Sequence, residues 1–194
     1  MAGVPVACHA HGGPGLAMAI RAGVDCIEHA AYLDDELARE MAGRGTWLVP
    51  TFTIVEFRRT RTSGAERAKA EAVHATHTRA LEAAMRAGVR IALGTDTGAF
   101  GYGGNAQEFE LLVQAGMPVD QAIQAGTRCA AECLGLGDQV GTLEPGKEAD
   151  LLVVDGDPLV DPGVLRPSER LVGVWKAGQL VAGRLTEPRP STAH

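Results

Sequence analysis

Short apolar runs alternate with helical patterns along the first half of the chain. Residues 4–8 are apolar on both alternating faces, Val6 and Cys8 on one and Pro5 and Ala7 on the other, which predicts a strand covered on both sides. Residues 15–22 read as a helix closed by Gly23, and residues 24–27 as a second strand. Asp34 has the chemistry to cap a helix running through Ala42, with Leu37 and Met41 on one face. Residues 47–52, interrupted by Pro50, predict a third strand. A long helix over roughly residues 65–87, stopped by Gly88, leads to a fourth strand at 89–93. Strand, helix, strand, helix in this order predicts parallel strands joined by crossover helices.

The rhythm then changes. Asn105 and Glu108 have the spacing of a capping box for a helix ending near Gly116, and Pro118 opens another running towards Leu134. Residues 149–154, a turn at Gly156-Asp157-Pro158, and a hairpin of 171–176 with 179–181 predict a separate small β unit. The tail at 184–194, with Pro188 and Pro190, is expected to be disordered.

Composition narrows the function classes. The net charge of -6 and the absence of basic runs argue against a nucleic-acid binder. No apolar stretch approaches the roughly 20 residues of a membrane span, and the opening residues lack the pattern of a signal peptide. Cys8, Cys26, Cys129 and Cys133 form no C-x-x-C pair, so free thiols and a reduced, cytoplasmic setting are expected.

Candidate chemistry sits where the strands stop. His9 and His11 lie two apart at the end of the first strand, His29 ends the second and Asp96 follows the fourth. A single strand-end histidine is ordinarily structural, but three strand ends carrying ligand types point to one site. Imidazoles and a carboxylate on a rigid β platform suit Zn²⁺ or a similar divalent ion. His74 and His77 lie among charged residues in the long helix and read as a solvated face. Gly101-Tyr102-Gly103-Gly104 lacks the Lys-Ser/Thr sequel of a phosphate loop and reads as a mobile loop, with Tyr102 and Asn105 facing substrate.

These residues carry a resemblance. Val6-Ala-Cys-His-Ala-His-Gly12, Ala22-Gly-Val-Asp-Cys-Ile-Glu-His29, Leu48-Val-Pro-Thr51, Leu93-Gly-Thr-Asp-Thr-Gly98 and Gly141-Thr-Leu-Glu-Pro-Gly-Lys-Glu-Ala-Asp-Leu151 resemble consecutive blocks of the amidohydrolase superfamily. The imidazolonepropionase-like and prolidase-like metal-dependent hydrolases are the most similar branch. The resemblance implies an α/β fold, the second half of a TIM-like (β/α)8 barrel over residues 1–137, followed by part of a small β-sandwich over 138–183. It implies that His9 and His29 are the metal ligands of the fifth and sixth barrel strands. Asp96 would be the eighth-strand ligand that also moves the proton. His11 falls where members of that family place a substrate-contacting residue, which assigns it to the pocket and not to the ligands.

The alternative register, with His9-Ala-His11 on the first strand, needs seven β/α units of about 30 residues before Asp96, whereas the spacing holds three. The first-strand His-x-His and the metal-bridging Lys are therefore expected on strands preceding Met1. The implied activity is hydrolysis of a carbon–nitrogen amide bond in a peptide-like or cyclic substrate, using one or two divalent ions, most simply zinc. The rival expectations are an inactive fragment and a half-barrel assembly module. Open edges at residues 4–8 and 91–93, with Ala7, Ile27 and Ala92 facing inward, predict that the chain self-associates or pairs with a complementary N-terminal half.

Overall fold

A computed structural model describes residues 3–98 and 102–185. In chain order the first part is β1 (Ala7–Ala10), α1 (Gly13–Ala22), β2 (Cys26–His29), α2 (Asp35–Arg44), β3 (Trp47–Val49), α3 (Phe52–Arg61), α4 (Gly64–Ala87) and β4 (Arg90–Ile91). Three further helices follow: α5 (Gln107–Gln114), α6 (Val119–Ala125) and α7 (Arg128–Cys133). The four strands pair in sequence order, all parallel. The last part is an antiparallel sheet of β5 (Leu151–Val154), β6 (Leu171–Lys176) and β7 (Gln179–Gly183).

Register assigns the faces. Cys8, Ile27, Leu48 and Ile91 stand in one cross-strand row and join the large core with Leu16, Ile20, Met41, Leu81 and Ala84 from the covering helices. Ala7, Cys26, Trp47 and Arg90 form the adjacent row on the opposite face. There Cys26, Trp47 and Ala92 cluster with Val49 and with Cys129, Ala130 and Cys133 of α7. Ile27 therefore belongs to the helix-covered face and not with Ala7, because its pairing partners are Cys8 and Leu48.

Local signals account for several boundaries. The Asp34 side chain accepts from the Leu37 amide at 2.8 Å, and left-handed glycines at 23, 45 and 88 close α1, α2 and α4. Other expectations fail for identifiable reasons. The third strand stops at Val49, and the β-rich run Phe52-Thr-Ile-Val is the start of helix α3. Glu108 caps nothing in its own helix: it is fully buried, and its carboxyl accepts from the Phe52 and Thr53 amides. The helix from Pro118 is broken at Gly126-Thr127, where a Cβ on Gly126 would lie 2.4 Å from the Phe109 ring. The sequence-predicted disordered tail falls, from residue 186 on, outside the described residues, as does Gly101 of the loop after β4.

Met41 is fully buried in the large core. Met41→Ala is expected to cost about 2–5 kcal/mol, whereas Asp34→Ala is expected to cost about 1 kcal/mol through the lost cap. Urea-denaturation midpoints at unchanged m-value measure both.

Candidate functional site

Alternation along β2 would put His29 on the face of Ile27, away from His9. It does not stay there. His29 and Ala30 both adopt positive φ, 76° and 47°, so the backbone turns left-handed at the strand's last residue. His29 Nε2 then lies 2.8 Å from His9 Nδ1, and the His11 ring stacks on the His29 ring at 4.5 Å. Thr51 (φ 60°) and Asp96 (φ 57°) are also left-handed, after β3 and β4 respectively. Non-glycine residues in this region cost roughly 1–3 kcal/mol each and concentrate where function requires an otherwise unfavourable turn. All four follow or end a parallel strand.

Around His29 the contacts are specific. Its Nδ1 is 2.8 Å from Thr51 Oγ1. His77 Nε2 donates to the His29 carbonyl at 3.1 Å, and the His77 ring stacks on Phe52 at 4.0 Å. His77 is thus buried at 1% exposure and forms part of the site's support, not of a solvated helix face. The face-reading failed because charged neighbours describe the rest of α4, while the buried stripe Ala70, His77, Leu81, Ala84 faces inward.

His11, His29, Thr51, Arg58, His77 and Asp96 line a pocket of about 700 Å³, together with residues of α3 and α4 that include Glu66 and Lys69. Burial lowers the His29 and His77 pKa values to about 4, and burial with the nearby Arg58 charge lowers that of His11. Asp96 opposes this shift at both His11 and His29. Neutral imidazoles keep their nitrogen lone pairs available. Arg58 is exposed and makes no side-chain ion pair with a described residue, although Arg59 beside it pairs with Glu56 at 2.7 Å. Sequence reasoning missed Arg58, because nothing in a run of three nearby arginines marks the one that faces a pocket.

The fit to a divalent ion can be read from the donors. Two imidazole nitrogens converge, and the other ring nitrogen of His29 is already held by a hydroxyl, as metal-binding histidines require. Asp96 lines the same pocket as His29. Among the described residues no three His, Cys, Asp or Glu side chains close into a metal-sized group, so this chain offers a partial donor set. Tyr102 is 91% exposed, and the Asn105 side chain accepts from Thr97 Oγ1 at 3.0 Å; neither lines the pocket.

Comparison with known proteins identifies the family. Residues 1–181 match the Amidohydrolase family. Ochratoxinase from Aspergillus niger is 36% identical over 186 residues, covering 92% of this chain and 38% of the relative. Imidazolonepropionase from Brucella suis biovar 1 is 32% identical over 148 residues, 73% of this chain and 32% of the relative. A crystal structure of a Xaa-Pro dipeptidase with methionine bound in its active site superposes with a TM-score of 0.85 at 39% identity, over 93% of this chain and 45% of that one. The chain thus spans less than half the length of these relatives.

The buried His77 generates a pH dependence. Its folded pKa of about 4 lies below the ordinary 6.5, so the unfolded chain takes up this proton first as pH falls. The stability tied to neutral His77 is complete above pH 6.5 and lost as pH falls towards 4. Denaturation midpoints over that range are expected to fall less steeply in His77→Phe than in the wild type.

Proposed function

The chain belongs to the amidohydrolase family, and from that premise we propose that it supplies the second half of a metal-dependent hydrolase that cleaves a carbon–nitrogen amide bond. The observation that carries the reading is the His9–His29 pair, brought together at 2.8 Å by left-handed backbone at a strand end. His9, His29 and Asp96 would hold the ion, with zinc the first choice for such donors. A bound divalent ion supplies a lowered pKa for water and polarisation of the scissile carbonyl. Asp96 accepts the proton of the attacking water and delivers it to the leaving nitrogen, acting as base and then acid. His11, stacked on His29, borders the substrate.

Arg58 favours a peptide-like substrate over a neutral cyclic amide. It is a cation beside the pocket without an ion-pair partner among the described residues, placed to meet a free carboxylate. The dipeptidase that resembles this chain holds methionine, a ligand with such a group.

The remaining donors and the rest of the barrel would come from a complementary N-terminal half. The second sheet face favours this, because Val6, Ala7, Cys26, Val49, Ala92 and Leu134 border a hollow of about 410 Å³. Further strands would pair with the free edges of β1 and β4 and fill it; without them the same edges would favour self-association. The proposed division places the half-barrel at residues 1–137 and the small β unit at 138–183.

In the protein assembled with that half, Asp96→Asn is expected to lower kcat by about 10²-fold or more while zinc, measured by elemental analysis, stays near the wild-type stoichiometry. Wild-type turnover in Asp96→Asn would discard the mechanism. Arg58→Met is expected to raise KM for N-acyl amino acids with little change in kcat, read from steady-state kinetics.

A further inference from the structure

Thr51 occupies the N-cap position of α3, where a threonine ordinarily turns its hydroxyl back onto a first-turn amide. Here the side chain makes no such bond. The residue is left-handed, and its Oγ1 is 2.8 Å from His29 Nδ1. The amides that lack a local cap are served from elsewhere. Glu108 Oε1 accepts from Phe52 N at 2.6 Å, and Oε2 accepts from Thr53 N at 2.7 Å and Thr53 Oγ1 at 2.5 Å. Glu108 is fully buried, and no cation is among these partners. Burying a carboxyl without a counter-charge is costly, and a local hydroxyl would cap a helix more cheaply. The arrangement makes sense if the local hydroxyl is needed for another task.

We propose that Glu108 is a positioning residue for the site histidines: by capping α3 from α5, it frees Thr51 to fix the ring of His29. This rests on the reading of His29 as a site ligand. With Thr51 Oγ1 accepting from Nδ1–H, the Nε2 lone pair faces His9 and the open side of the site. Removing the Glu108 carboxyl leaves first-turn amides without acceptors, and Thr51 is then drawn back to serve them. His29 loses its orienting bond although neither His29 nor its strand has been altered.

The test uses Glu108→Gln, which puts an amide NH₂ where one acceptor stood. Thr53→Val is the milder alternative should Glu108→Gln fail to fold, since it removes the hydroxyl contact alone. Long-range ¹H–¹⁵N spectra of the zinc-free protein are expected to show His29 as one tautomer, protonated at Nδ1, in the wild type. A mixture is expected in Glu108→Gln, in Thr53→Val to a lesser degree, and in Thr51→Val. Zinc affinity from chelator competition is expected to fall about 10–100-fold in Glu108→Gln. In a Thr51→Val background the same change is expected to cost less than about twofold, because the route through Thr51 is already cut. Met41→Ala, destabilised in the core, is expected to leave both readouts at wild-type values.

An unchanged His29 tautomer in folded Glu108→Gln would overturn the proposal. So would an equal zinc-affinity loss with and without Thr51. A wild type that binds no zinc when assembled with its N-terminal half would instead refute the ligand reading, and the tautomer measurement would still decide the role of Glu108.

Discussion

Parallel pairing is the constraint on which the site depends. It stacks Cys8, Ile27, Leu48 and Ile91 into one row that the helices must cover. The same register brings the strands out at a common end, so residues distant in sequence leave the sheet side by side. His9 faces Glu28 across the ladder, and Ala10 faces His29. No side-chain contact sets these proximities. They follow from the backbone hydrogen bonds of a sheet whose one face is fixed by burial.

A regular sheet would nevertheless separate the chemistry, since alternation sends His9 and His29 to opposite faces. Left-handed backbone at His29 cancels that alternation. The turn is energetically unfavourable for a side-chain-bearing residue, and the surroundings enforce it. His77 grips the His29 carbonyl from α4, and Thr51 meets the ring from the loop after β3. Support thus comes from two elements that are themselves anchored by Phe52, which stacks on His77 and packs in the core.

Much of this was legible in the sequence, and the failures share a cause. Apolar runs, Asp34 and the glycines at 23, 45 and 88 act over a few residues, and they locate the parallel strands to within a few positions, most of the helices and the strand-end histidines. The first strand runs over Ala7–Ala10 and not from residue 4, and Val4 and Val6 are exposed where cover on both faces was expected. Helix α3 goes unread in the sequence because Phe52 closes the apolar run read as the third strand, Thr53, Ile54 and Val55 favour extended structure locally, and the helix is capped by a residue 56 positions away. Glu108 reads as a local cap because its spacing from Asn105 fits one. His77 reads as surface because its burial depends on Phe52, at the far end of an unrecognised helix. Arg58 escapes notice for the same reason, since the pocket it borders exists only once α3 and α4 have packed. Signals confined to one element are visible in sequence; partners between elements are not.

The distant cap of α3 also bears on the order in which the chain folds. A helix whose first turn carries its own cap can gain that bond as soon as the turn forms. The Phe52–Glu108 bond instead requires closing the chain across 56 positions, including all of α4 and β4. Loop closure on this scale must be met before the bond returns any free energy. The first turn of α3 at Phe52-Thr-Ile-Val therefore gains its capping bonds only when α5 docks. Until then the residue that holds the His29 ring, Thr51, adjoins a helix start that lacks its cap, so the site's hydrogen bonding is complete only once the chain has closed across that span.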